Sequence, residues 1–217
     1  GFEVPFTSTA GNEGAYFWSH DIGGHFGDRN EEPYTRWVQF ASTTAAMRIH
    51  SGIIPYLDRR PWKWPDWGTE SMRRSFHLRA DLMPYVYSAV RQTNESGLPL
   101  NRPMYIEYPG EADAYRAPQQ YLFGSDLLVA PIASAGHGPG RVASQLVWFP
   151  PGEWRNFFTD ESFMGPEWRL VSADINAEEH YATGKFLGMF ERQASLTTDR
   201  GCVLGAPADP TAVPYQA

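Results

Sequence analysis

The sequence holds one cysteine, Cys202, which rules out an internal disulfide and a cysteine-built zinc cage. Long apolar runs are missing as well. Nothing approaches the roughly 20 residues that a membrane-spanning helix needs, and the first residues lack the basic, apolar and small-residue order of a signal peptide. Positive charge is in short supply, with 18 Lys and Arg against 25 Asp and Glu and a formal net charge of −7. Neither nucleic acid nor a membrane surface is an expected partner, because phosphate binding needs a basic face able to displace counterions. Repeats and low-complexity tracts are also missing, so the chain is read element by element.

What remains is ordinary globular material. Over 217 residues, 42% are hydrophobic and 20% charged, enough for one large domain or two small ones. Aromatic residues make up 15%, eight of them Trp. Flat rings pack against the C–H face of a sugar, but they also fill cores, so their abundance favours saccharide binding only slightly.

Residues 15 to 22 form an aromatic and apolar run ending in a glycine corner, Ser19 to Gly24, which reads as a buried strand carrying His20 and Asp21 to its C-terminal tip. Asn30 is placed to cap a helix, with Glu31, Glu32 and Pro33 in its first turn and Tyr34, Trp37, Val38, Ala41 and Ala45 at helical spacing. A short strand, Ala46 to His50, follows. Pro55, Pro61 and Pro65 with Trp62, Trp64 and Trp67 make 53 to 68 a long ordered loop. A long helix is expected next, capped by Thr69, striped by Met72, Phe76, Met83, Val86 and Val90, kinked before Pro84 and ended by Gly97.

From Leu100 the pattern changes to short β-forming runs between Pro and Gly turns, at Met104 to Tyr108, Gln120 to Pro131, Gln145 to Phe149 and Trp154 to Phe158. These suggest an antiparallel sandwich, with Gly136 to Gly140 its most flexible connection. The expected division is therefore 1–99 and 100–217. The tail from Ala206 to Ala217, rich in proline, is expected to be irregular.

Strand, helix, strand, helix with polar strand tips suits the end of a (β/α)8 barrel, and periodicity alone leaves a doubly wound sheet equally open. The residues narrow the choice. Phe17-Trp18-Ser19-His20-Asp21-Ile22-Gly23-Gly24 resembles the seventh-strand signature of glycoside hydrolase family 31, the α-glucosidase and α-xylosidase family. In the family's order, Phe6 to Ala10, Tyr34 to Phe40, Met47 to Ser51 and Leu82 to Ser88 are similar to its strand approach, next helix, eighth strand and last barrel helix. Leu98 to Met104, Gln120 to Pro131 and Trp148 to Trp154 are similar to its proximal β-sandwich. The match weakens beyond about residue 165, where Asn176 to His180 is polar.

The resemblance implies the C-terminal part of a TIM barrel (strands seven and eight with their helices, 1–99) followed by an antiparallel β-sandwich (100–217). It implies that Asp21 and His50 bond sugar hydroxyls of an α-linked oligosaccharide, with Trp18, His25 and Phe26 at the subsite; His25 departs from the aromatic residue common there. A carboxylate can accept from two hydroxyls and a histidine can donate one N–H. Arg48, pointing into a barrel, is expected to need a carboxylate partner, and His20 to support the strand tip. Retaining glycosidases require two carboxyl groups about 5 to 5.5 Å apart. By the resemblance both lie before the seventh strand, in a preceding barrel portion that would be this chain's partner. No catalytic residue, metal site or cofactor is expected within it, and the chain alone is expected to be inactive. Two other readings stand beside this one: a carbohydrate-binding module using Trp62, Trp64, Trp67 or Trp154, and a metal protein using His20, Asp21 and His25.

Overall fold

The structure, a computed structural model, describes residues 2–175 and 188–192; the expected irregular tail and Cys202 lie outside them. A short helix α1 (Glu3–Thr9), not anticipated from the sequence, leads through a 3-10 turn to β1 (Ser19–Ile22). Helix α2 (Glu31–Ala41) then crosses to β2 (Ala46–Ile49). The two strands pair in parallel, with Asp21 opposite Arg48, so the expected strand, helix, strand unit forms. Period two sends His20 and Ile22 to one face and Ser19 and Asp21 to the other. The first face is buried. Ile22 packs with Tyr34, Val38 and Ala41 of α2 and with Trp64 and Met72.

The expected single long helix is two helices. It starts earlier than anticipated, as α3 (Asp66–Asp81), breaks at Leu82, and resumes as α4 (Met83–Ser96) with Pro84 in its first turn. Proline has no N–H to give to the preceding turn, and a first-turn position is where that loss costs least. Thr69 is therefore not an N-cap; inside α3 its hydroxyl donates to the carbonyls of Pro61 and Trp64. Of the expected stripe, Met72 and Val86 are buried, whereas Met83 is 49% exposed beside the break. Gly97 closes α4 at φ 72°, a left-handed cap that glycine adopts without penalty.

The loop from 53 to 65 contains two 3-10 turns, Pro55–Leu57 and Pro61–Lys63. It is held down by stacking. Trp64 lies 4.4 Å from the Tyr34 ring, with Arg29 on the Trp64 face and Arg59 on both rings.

Beyond the helices, β3 (Asn101–Pro103), β4 (Tyr121–Phe123), β5 (Leu127–Ala130), β6 (Ala143–Asn156), β7 (Ser162–Ala173) and β8 (Gly188–Arg192) form one antiparallel sheet in the order β3-β4-β5-β8-β6-β7. Met104 to Tyr108 was expected to be extended, yet Met104–Glu107 is a helical turn following the short strand at Asn101–Pro103. The two runs at Gln145 and Trp154 are parts of a single strand, β6, irregular between Phe149 and Gly152. Pro150 and Pro151 sit there because neither can donate to the ladder. Strand β7 was not foreseen, since Gly165, Pro166 and Glu167 interrupt any β-forming run.

Strands β4 and β5 are buried on both faces. Tyr121, Phe123, Leu127 and Val129 pack with Val4, Phe40, Leu78, Leu82 and Val86 of the helices. Leu122, Leu128 and Ala130 face the other way, onto Val147, Trp148, Phe149 and Trp154. Continuous apolar sequence here reflects two cores sharing one pair of strands.

Candidate functional site

Parallel strands deliver their polar residues to a common end, and here that end carries Asp21 and His50. His50 directly follows β2, and its N–H donates to the Ile22 carbonyl at 2.9 Å, so the two strand ends lie side by side. Gly23 and Gly24 then turn the chain at φ 95° and 71°. Gly23 has a second reason to be glycine: a Cβ there would come within 3.0 Å of both the Arg59 side chain and the Tyr34 ring.

Arg48 donates to Asp21 Oδ1, which supplies the carboxylate partner expected for it. That hydrogen bond holds the Asp21 carboxyl below the usual carboxylate range, with smaller contributions from the His50 and His20 imidazoles. Asp21 is therefore an ionised acceptor at neutral pH. His50 Nε2 lies 3.9 Å from Asp21 Oδ2 and 3.0 Å from His25 Nδ1. The ring of His25 in turn meets Phe26 edge-on at 4.3 Å, and Phe26 itself is 75% exposed. Asp21, Arg48, His50, His25 and Phe26 thus form one open, polar and aromatic surface.

Trp18 is placed differently from the rest. It packs edge-on against Phe6 of α1 at 5.1 Å, and its carbonyl accepts from the Ala46 N–H. His20 supports the strand from behind. Trp37 Nε1 donates to its Nδ1 at 2.8 Å, Phe40 stacks on the ring at 4.8 Å, and burial pushes its pKa down to about 4 against the opposing pull of Asp21. Trp37 and Arg59, which position the strand tip, were missed from sequence. In the sequence Trp37 reads only as an apolar stripe residue, and nothing in Asp58-Arg59-Arg60 marks one arginine as buried.

The expected flexible loop is tied down. Glu32 Oε1 accepts from Arg36 Nε at 2.9 Å and from the Gly136 N–H at 2.6 Å, while Arg36 donates to the Arg141 carbonyl at 2.9 Å. The Arg141 guanidinium lies 3.9 Å over the Trp67 ring. Hence Glu32 serves a junction between α2 and the loop before β6, away from the Asp21 and His50 surface.

The rival readings meet these contacts directly. Trp154 and Trp64 are buried and Arg141 covers Trp67, leaving Trp62, 67% exposed, as the one open platform among the four. His20 is committed to Trp37 and Asp21 to Arg48, and among the described residues no group of three or more His, Cys, Asp or Glu could hold a metal ion.

Comparison with known proteins supplies the family. The chain matches the Glycosyl hydrolases family 31 TIM-barrel domain over residues 2–89 and the Glycosyl hydrolase family 31 C-terminal domain over residues 97–193. It is 28% identical over 172 residues to Alpha-glucosidase 2 of Bacillus thermoamyloliquefaciens, a match covering 79% of this chain and 21% of that protein. It is 35% identical over 160 residues to Alpha-xylosidase XylQ of Lactiplantibacillus pentosus, covering 70% and 20%. A solved Flavobacterium johnsoniae GH31 dextranase complexed with isomaltotriose superposes with a TM-score of 0.77 at 29% identity, over 89% of this chain and 22% of the dextranase. The chain belongs to glycoside hydrolase family 31: it comprises part of the family's TIM barrel and its C-terminal domain, and spans about a fifth of the length of these relatives.

Proposed function

We propose that this chain contributes one wall of the sugar subsite of a retaining α-glycosidase acting on α-linked oligosaccharides. The observation that carries the reading is the pairing of an ionised Asp21 with His50 at the adjacent C-terminal ends of two parallel strands. Asp21 accepts from two sugar hydroxyls, the linked imidazoles of His50 and His25 present an N–H donor, and Phe26 flanks the ring, with Trp18 in a supporting place behind the wall. The nucleophile and the acid/base belong to barrel strands preceding β1, which are the chain's partner. Asp21 is not the acid/base of that pair, because a carboxyl held ionised by a guanidinium is a poor proton donor. The dextranase and sulfoquinovosidase neighbours, solved with isomaltotriose and an aza-sugar inhibitor, support a saccharide ligand. The boundary between the barrel portion and the C-terminal domain falls near residue 100, a placement supported by the change of sequence pattern after Gly97.

The test is turnover of an aryl α-glucoside. The 217-residue chain alone is expected to give none. Joined to the preceding barrel strands it is expected to give turnover that Asp21→Ala lowers about 100-fold, since one charge-assisted bond is worth about 1.5 to 3 kcal/mol. Turnover by the isolated chain that survives Asp21→Ala through an independent purification would overturn the proposal.

A further inference from the structure

The contact between His25 and His50 joins two imidazoles nitrogen to nitrogen, 3.0 Å apart with ring planes inclined by 29°. Two neutral imidazoles can share such a contact only if one nitrogen donates and the other accepts. The surroundings choose the direction. His50 Nε2 also lies 3.9 Å from Asp21 Oδ2, too far for a hydrogen bond but close enough for the carboxylate to favour a proton on that nitrogen. Among the described residues no carboxylate lies within 4 Å of a His25 ring nitrogen to favour a proton on its Nδ1. The approach of the two loops is built into the backbone, because a Cβ at Gly52 would lie 2.7 Å from the His25 carbonyl oxygen, and Phe26 closes the other side of the His25 ring.

We propose that His25 is a positioning and specificity residue. Its Nδ1 accepts the Nε2 proton of His50, fixing His50 in the Nε2–H tautomer, and its own Nε2–H becomes the outward donor to a hydroxyl oxygen of the bound saccharide. The donor offered to ligand is then displaced by one ring, about 5 Å from where His50 alone would present it. The identity of the ligand rests on the subsite reading above, whereas the tautomer assignment does not.

The experiment is two-bond 1H–15N correlation of the imidazoles in the 217-residue chain, without sugar, at about pH 8, above the ordinary histidine range. Both His25 and His50 are expected as Nε2–H tautomers. In His25→Phe, which keeps an aromatic ring against Phe26 but removes the acceptor, the Nδ1–H tautomer of His50 is expected to become populated beside the Nε2–H form that Asp21 still favours. His25→Asn, whose side-chain oxygen takes the place of Nδ1, is expected to restore the Nε2–H form. Backbone amide dispersion checks that each variant is folded. His50 as Nδ1–H in the unsubstituted chain, or one and the same His50 tautomer in all three proteins, would overturn the proposal. Because no sugar is present, failure of the subsite reading leaves this result intact, and failure here leaves Asp21 and His50 as subsite candidates.

Discussion

The strand pair β1–β2 and the six-stranded sheet β3–β8 solve the problem of strand edges in different ways. Antiparallel hairpins close locally, so β4–β5 and β6–β7 satisfy their ladders from neighbouring sequence, and both faces of β4 and β5 are buried by this chain's own residues. Parallel strands need partners from distant crossovers. Among the described residues β1 and β2 pair only with each other, and the face bearing Asp21 and Arg48 is left to solvent while the opposite face is packed on α2. The half expected to be the more stable is therefore the one that carries no candidate chemistry. The candidate binding residues sit where packing is incomplete.

The comparison can be tested by substitution. Trp148→Ala in the sheet core empties a site that is 1% exposed and leaves the Gln120 pairing with its backbone poorly supported, so a loss of about 3 to 5 kcal/mol is expected in urea denaturation. If it cost less than about 1 kcal/mol, the sheet would not be the stable half. Next comes the junction between the halves. Glu32→Gln strips the carboxylate from Arg36, whose side chain is 5% exposed, and should cost roughly 3 kcal/mol while releasing the 136–141 loop to proteolysis.

His20 tests the buried face of β1. Its imidazole titrates near pH 4 when folded and at about 6.5 when unfolded, so the folded state binds fewer protons between those values. Its contribution is complete above about pH 6.5 and is lost as pH falls toward 4, amounting to at most about 3 kcal/mol. His20→Asn should flatten that part of the stability profile by about one proton; an unchanged slope would mean that His20 is not held neutral. The smallest effect is expected on the open face: Phe26→Ala, at a residue 75% exposed, should alter stability by less than about 0.5 kcal/mol. A larger loss would show that the site is packed and not open.

Legibility followed locality. The helix α2 with Pro33 in its first turn, the Gly97 cap and the strand tip at Asp21 were readable because each rests on residues within one turn of one another. The expected Arg48 partner followed from charge alone, although which carboxylate would meet it did not. Strand β7 was illegible because its residues extend by pairing with β6, not by their own preference, and only the ladder pays for Gly165 and Pro166 within it. Met104–Glu107 failed in the opposite sense: apolar and aromatic residues there serve a helical turn, burying Met104 against the sheet.

By itself the sequence determined the family, the strand, helix, strand order from β1 to β2 and the polar residues at the strand ends, since motif identity and helical or alternating spacing are properties of neighbouring positions. Tertiary structure alone decided that His25 would meet His50, that Glu32 of the α2 first turn would hold the Gly136 loop, and that Trp64, Trp67 and Trp154 would be covered while Trp62 stayed largely exposed. Each of those outcomes joins residues 25 or more positions apart or depends on what packs over a ring, and no local pattern encodes either.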